Sequence, residues 1–116
     1  MTPQRRYSLR GREVQLEVRS STANDPSYAL IGRLFTYLDE LLPPEDLTRA
    51  EISVRRGCVS LSEKHGGGFT KRLNIYPTQK KVEVVIPPEE YAYSEGRTKL
   101  KGILEKAFPG FQIEKL

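Results

Sequence analysis

Apolar and polar residues alternate one by one in several short segments of this chain, and at two places the apolar period lengthens to three and four. The alternation at 13–19 predicts a strand with one buried face. The longer period first predicts a helix that begins at Pro26, behind the capping residue Asp25, and ends before Pro43. A second apolar stripe at 100–108 predicts another helix near the C-terminus.

Four more strands are predicted between the helices, where short turns separate alternating segments. They fall at 50–55, 58–62, 69–76 and 81–86, and a last strand is expected at 111–116. The resulting order is β-α-β-β-β-β-α-β. Because each helix has one apolar stripe and each strand one apolar face, we expect an α+β fold: a two-layer sandwich with two helices packed on one face of a mostly antiparallel sheet. The other sheet face would be solvated.

Charge is sorted along the 116 residues, which hold 19 basic and 15 acidic side chains for a formal net charge of +4. The first twelve residues contain no acid and carry the whole excess, through Arg5, Arg6, Arg10 and Arg12. They include too few apolar side chains to offset the entropy of ordering. We therefore predict a flexible basic arm at 1–12 and a single α+β domain at 13–116.

The composition limits the kind of protein. A hydrophobic content of 37% and a charged content of 29% are ordinary for a globular domain. No apolar run reaches the roughly 20 residues that span a bilayer, so we expect no membrane partner. One cysteine excludes an internal disulfide and favours a reducing compartment, which predicts a cytoplasmic location. One cysteine and one histidine do not make a typical zinc site, so no metal or cofactor is expected.

The basic residues in the turns of the predicted hairpins should meet at one end of the sheet, because alternate turns of a meander lie at the same end. Clustered cations attract polyanions and release counterions. We therefore predict nucleic-acid binding through backbone contacts, slightly in favour of RNA, with Tyr76 as the candidate for base stacking. The open face could instead carry its basic side chains for solubility alone. The predicted binding residues are Arg5, Arg6, Arg10, Arg12, Arg55, Arg56, Arg72, Tyr76, Lys80 and Lys81.

A second interpretation is a protein-interaction module, an adaptor or inhibitor that docks on an acidic partner surface or pairs through a sheet edge. Four acidic residues near the end of the first helix would then contact a partner or another copy of the chain: Asp39, Glu40, Glu45 and Asp46.

Enzymatic activity is the weakest hypothesis. The segment 65–68 matches the HGGG stretch of some esterases, but the G-x-S-x-G nucleophile turn is absent and His65 is the only histidine. A dyad of Cys58 and His65 would lack a third, orienting group. We therefore predict a non-enzymatic protein with no catalytic residues.

Overall fold

The computed structural model describes residues 4–9, 12–20, 29–40, 47–55, 57–65 and 68–116, with the backbone alone described in the first two segments. Seven strands and two helices lie in these segments. Their bounds are β1 (Gln4–Leu9), β2 (Arg12–Ser20), α1 (Ile31–Glu40), β3 (Leu47–Arg55), β4 (Cys58–His65), β5 (Gly68–Tyr76), β6 (Lys81–Val84), α2 (Ser94–Ala107) and β7 (Gln112–Glu114). A 3-10 turn, Glu89–Tyr91, precedes α2.

The strands form one sheet in chain order from β1 to β7. Four of the six strand pairs are antiparallel. The pairs β2–β3 and β6–β7 are parallel, and a helix connects each of them, as expected because a tight turn cannot join parallel strands. The predicted α+β fold, with two helices on one face of a mostly antiparallel sheet, is confirmed.

The predicted element order is confirmed from β2 onward, and one strand precedes it. The backbone of β1 pairs with β2 along its whole length, inside the segment 1–12 for which the composition predicts an arm. Residues 1–3, 10 and 11 of that segment lie outside the described residues. The flexibility of residues 1–12 and their separation from 13–116 stay predictions.

The core lies between the sheet and the helices, where every second residue of the central strands is buried. The helices contribute residues spaced three and four apart, as the apolar stripes predict. The fully buried larger side chains are Leu34, Tyr37, Leu38, Ile52, Leu61, Leu73, Ile75, Leu100, Leu104 and Phe108. This single cluster fixes which face of each strand points to solvent.

Three strand boundaries differ from the prediction in a way that matters for the surface. The strands β4 and β5 extend to His65 and from Gly68, so the hairpin is longer than the alternation indicated. The strand β6 ends at Val84, two residues earlier than predicted, and leaves Val85 and Ile86 exposed. The strands β4 and β5 therefore extend beyond β6 at one end of the sheet.

Candidate nucleic-acid interface

Two turns bring basic residues to one end of the sheet. Arg55 lies opposite Cys58 at the β3–β4 turn, and Tyr76 lies opposite Lys81 at the β5–β6 turn. Because β4 and β5 are antiparallel neighbours, the two turns share one end, about 10 Å apart by the spacing of strands. We call the group Arg55, Tyr76, Lys80 and Lys81 the basic rim.

Backbone conformation shapes both turns. Gly57 has φ of 78°, a left-handed value that a residue without a side chain adopts at no steric cost. Lys80 has φ of 50°, and its amide N–H donates to the carbonyl of Pro77 at 3.3 Å. The turn therefore closes through a backbone bond and leaves the Lys80 side chain exposed.

The cations of the basic rim differ in how far neighbouring acids neutralise them. Arg55 and Lys80 are exposed, and no carboxylate within the described segments lies at ion-pair distance from either. The ammonium of Lys81 lies 3.6 Å from a carboxylate oxygen of Glu114 and 5.1 Å from the ring centroid of Tyr76. Two full positive charges and one shared charge therefore face solvent at this end.

Tyr76 is a half-buried residue whose ring is partly covered. Lys81 lies over one face of the ring in a cation–π contact. Burial raises the pKa of the Tyr76 phenol, with smaller contributions from Cys58 and Glu83. The phenol is therefore neutral near pH 7 and keeps its O–H as a donor, while the covered face is unavailable to a nucleobase.

A row of polar side chains crosses the centre of the open sheet face. The Ser60 hydroxyl donates to Asn74 Oδ1 at 2.9 Å, and Asn74 Nδ2 donates to Glu83 Oε1 at 3.1 Å. Lys115 Nζ lies 3.1 Å from the other oxygen of Glu83. The hydrogen bond from Asn74, followed by the bond and charge of Lys115, holds the pKa of Glu83 below its ordinary range. These side chains form hydrogen bonds and an ion pair with one another across the centre of the open face.

The prediction that Arg72 lies on the open face is wrong. The register shifts between Leu61, opposite Leu73, and Ser62, opposite Lys71, so Arg72 is the extra residue of a β-bulge. Its side chain is 8% exposed, and its Nε donates to Glu63 Oε1 at 2.6 Å. Glu63 is in phase with the core residues of β4, so the pair lies on the helix side and Arg72 cannot contact a polyanion on the open face.

Of the arginines predicted for the arm, Arg12 lies at the end of the sheet away from the basic rim. Arg5 and Arg6 belong to β1, and Arg12 begins β2, whereas Arg10 and Arg56 lie outside the described residues. Because β2 runs parallel to β3, its first residue is at the end of the sheet opposite to Arg55. The backbone therefore places Arg12 far from the two turns of the rim.

Of the four acidic residues predicted to contact a partner, the structure describes two. Asp39 is exposed near the end of α1, and Glu40 pairs with Lys106 of α2 at 3.0 Å. Glu45 and Asp46 lie outside the described residues. The helix pair thus neutralises part of the acidic patch that the sequence suggested.

The structure does not bring Cys58 and His65 together. They are the first and last residues of β4, so about 23 Å of extended backbone separates them. Cys58 Sγ lies 4.0 Å from the hydroxyl of Ser60 instead. In the described part of the chain, no three histidine, cysteine or acidic residues are grouped as a metal site would require. Neither described helix has the length and apolar character to cross a membrane.

Comparison of the chain with protein-family models, curated proteins and solved structures finds no match in any of the three.

Proposed function

We propose that this protein is a non-enzymatic binding protein that contacts nucleic acid at the basic rim, and that RNA is slightly preferred. The supporting observation is the pair of exposed cations, Arg55 and Lys80, on neighbouring turns at one end of the sheet, with no described carboxylate close enough to neutralise them. Two such charges attract a polyanion by long-range Coulomb forces.

The chemistry of the rim suits phosphate. The guanidinium of Arg55 would bind a phosphate through two parallel hydrogen bonds, and the Lys80 ammonium would act as a point charge. The neutral phenol of Tyr76 adds a hydrogen-bond donor between them. With two or three phosphate contacts on a single strand, the logarithm of affinity should fall with the logarithm of salt concentration with a slope of about −1.4 to −2.1.

We expect the protein to contact the sugar–phosphate backbone of the nucleic acid rather than its bases. Single-strand platforms use exposed aromatic faces on which bases stack, whereas Lys81 covers a face of Tyr76. Phosphate contacts position a nucleic acid without reading its sequence. We therefore expect little dependence of affinity on base composition.

Fluorescence anisotropy with a labelled single-stranded RNA and a DNA of the same sequence tests the proposal, at about 50 mM and about 200 mM salt. We expect binding that weakens with salt and is slightly tighter for RNA. The variant Arg55→Ala/Lys80→Ala should weaken binding and reduce the magnitude of the salt slope by about 1.4.

The matched control is Lys99→Ala/Lys101→Ala, which removes two exposed charges from α2 in the other layer. It should leave both affinity and salt slope nearly unchanged. Absence of any anisotropy change at low salt, or equal weakening by the two variants, would refute binding at the basic rim.

A further inference from the structure

Exposed apolar side chains gather at the end of the sheet opposite to the basic rim. Among the described residues, the large hydrophobic side chains that face solvent are Phe69, Val85, Ile86 and Tyr93. Phe69, which is 50% exposed, lies near the start of β5, and Val85 and Ile86 follow the last residue of β6. Three of the four therefore flank the same stretch of β5.

Within the described residues, the backbone of that stretch has a neighbouring strand on one side only. The strand β4 pairs with β5 as far as Gly68, whereas β6 pairs with β5 only as far as Leu73. The last bond on that side runs from the amide of Val85 to the carbonyl of Arg72, at 2.9 Å. On the side away from β4, no described strand lies beside residues 68–71, which we call the open edge.

The bulge explains why the open edge is not covered by the departing chain. Arg72 Nη1 donates to the carbonyls of Pro87 at 3.1 Å and Ile86 at 3.5 Å. Because Arg72 lies on the helix side of the sheet, these bonds draw the chain after β6 beneath the sheet and toward α2. The extra residue in β5 therefore leaves the edge beyond it accessible.

Two lysines give the open edge a charge. Lys64 lies directly opposite Phe69, with Nζ 6.0 Å from the ring centroid, and Lys71 is exposed two residues further along the same face. No carboxylate of the described segments forms an ion pair with either lysine. Pairing of two open edges from two copies would bring four ammonium groups together, which opposes self-association.

We infer that the open edge accepts an extended strand of a partner protein whose side chains alternate between apolar and acidic. Main-chain hydrogen bonds to residues 68–71 would hold the strand, as in other cases of strand addition. Because successive side chains of a strand point to opposite faces, its acidic side chains would lie on the open face with Lys64 and Lys71. Its apolar side chains would lie on the helix side, beside Ile86. This site is separate from the basic rim and does not depend on nucleic-acid binding.

Amide NMR spectra of the isotope-labelled full chain test this inference, with a blocked peptide of about six residues that alternates valine and glutamate. We expect saturable shifts centred on the amides of residues 68–71, together with slower hydrogen exchange there. A peptide alternating valine and lysine should bind more weakly, and methylation of alternate peptide nitrogens should abolish the shifts, because it removes backbone donors.

Two variants of exposed residues separate this site from the basic rim. Lys71→Glu should reverse the preference between the two peptides, with a change of about ten-fold in their relative affinity. Arg55→Glu should leave peptide binding unchanged while it weakens RNA binding. The spectrum of each variant also reports whether it is folded.

Three results would overturn the inference. The first is no shift in the folded protein at millimolar peptide, and the second is shifts that map away from β5. The third is broadening of amides 68–71 with protein concentration alone, which would make a second copy of the chain the occupant.

Discussion

The buried pair of Glu63 and Arg72 should be the most sensitive polar contact in the fold. The two side chains are 3% and 8% exposed and are joined by a bond of 2.6 Å. Arg72 also donates to the carbonyl of Pro87, so it connects β5 to the segment that leads into α2. We predict that Arg72→Met and Glu63→Leu each destabilise the domain strongly, because each removes one partner of a buried ion pair.

The expected magnitude follows from this burial. Removal of one partner from a buried ion pair costs about 3–5 kcal/mol. Both side chains are too buried for solvent to screen the lost interaction appreciably. A domain of this size has a free energy of unfolding of about 5–15 kcal/mol, so either substitution removes a large share of it.

The double variant Glu63→Leu/Arg72→Met should lose less stability than the two single losses combined, because no unpaired charge remains. Urea unfolding followed by circular dichroism measures all three variants. With a slope of about 1–3 kcal/mol per molar urea, each single substitution should lower the midpoint by at least about 1 M. Additive losses in the double variant, or single losses below about 1 kcal/mol, would show that the two charges are not coupled and would refute the reasoning.

Three further predictions concern other parts of the fold. The Tyr37 hydroxyl is buried and has no hydrogen-bond partner among the described residues, so Tyr37→Phe should leave stability unchanged or raise it by up to about 1 kcal/mol in urea unfolding, and a larger loss would contradict this. Gly102→Ala in the exposed face of α2 should stabilise the domain by about 1 kcal/mol. Gly57→Ala should destabilise it by about 1–2 kcal/mol, because φ at this position is 78°. A change of the same sign in the midpoint temperature of thermal unfolding of both variants would contradict these predictions. Because the pKa of Glu83 is lowered in the folded state, the stabilisation that its carboxylate provides is present above the unfolded pKa and is lost as pH falls through the folded pKa. NMR titration of Asn74→Ala should show a higher pKa for Glu83, since the variant removes the hydrogen bond from Asn74. An unchanged pKa would refute the role of this hydrogen bond.

Periodicity predicted much of the fold because the core is simple. Each central strand alternates and each helix carries one stripe, so the number, type and order of these elements follow from the pattern. The strand β1 was not predicted because its sequence, QRRYSL, has too few apolar residues to show a period. Its structure depends on backbone pairing with β2, which composition does not reveal.

The bulge in β5 was not predicted because the apolar pattern of the sequence does not show it. A register shift is visible in sequence when it interrupts an apolar pattern, but here it falls at Lys71 and Arg72, and neither side chain marks the buried face. The sequence did contain a signal, because Glu63 is in phase with Val59 and Leu61 and so belongs to the core face of β4. A buried carboxylate requires a partner, and a basic residue on the next strand supplies it.

One extra residue therefore connects the two surfaces proposed for this protein. In a regular β5, Arg72 would lie on the open face and extend the positive charge of the basic rim across the sheet. The bulge instead buries Arg72 against Glu63, which keeps this charge off the open face between the two ends of the sheet. The same side chain draws the chain after β6 beneath the sheet, which leaves the edge of β5 accessible at the other end. The charged surface and the strand-pairing surface are thus kept apart by the same local irregularity, so each can be altered by substitutions that leave the other intact.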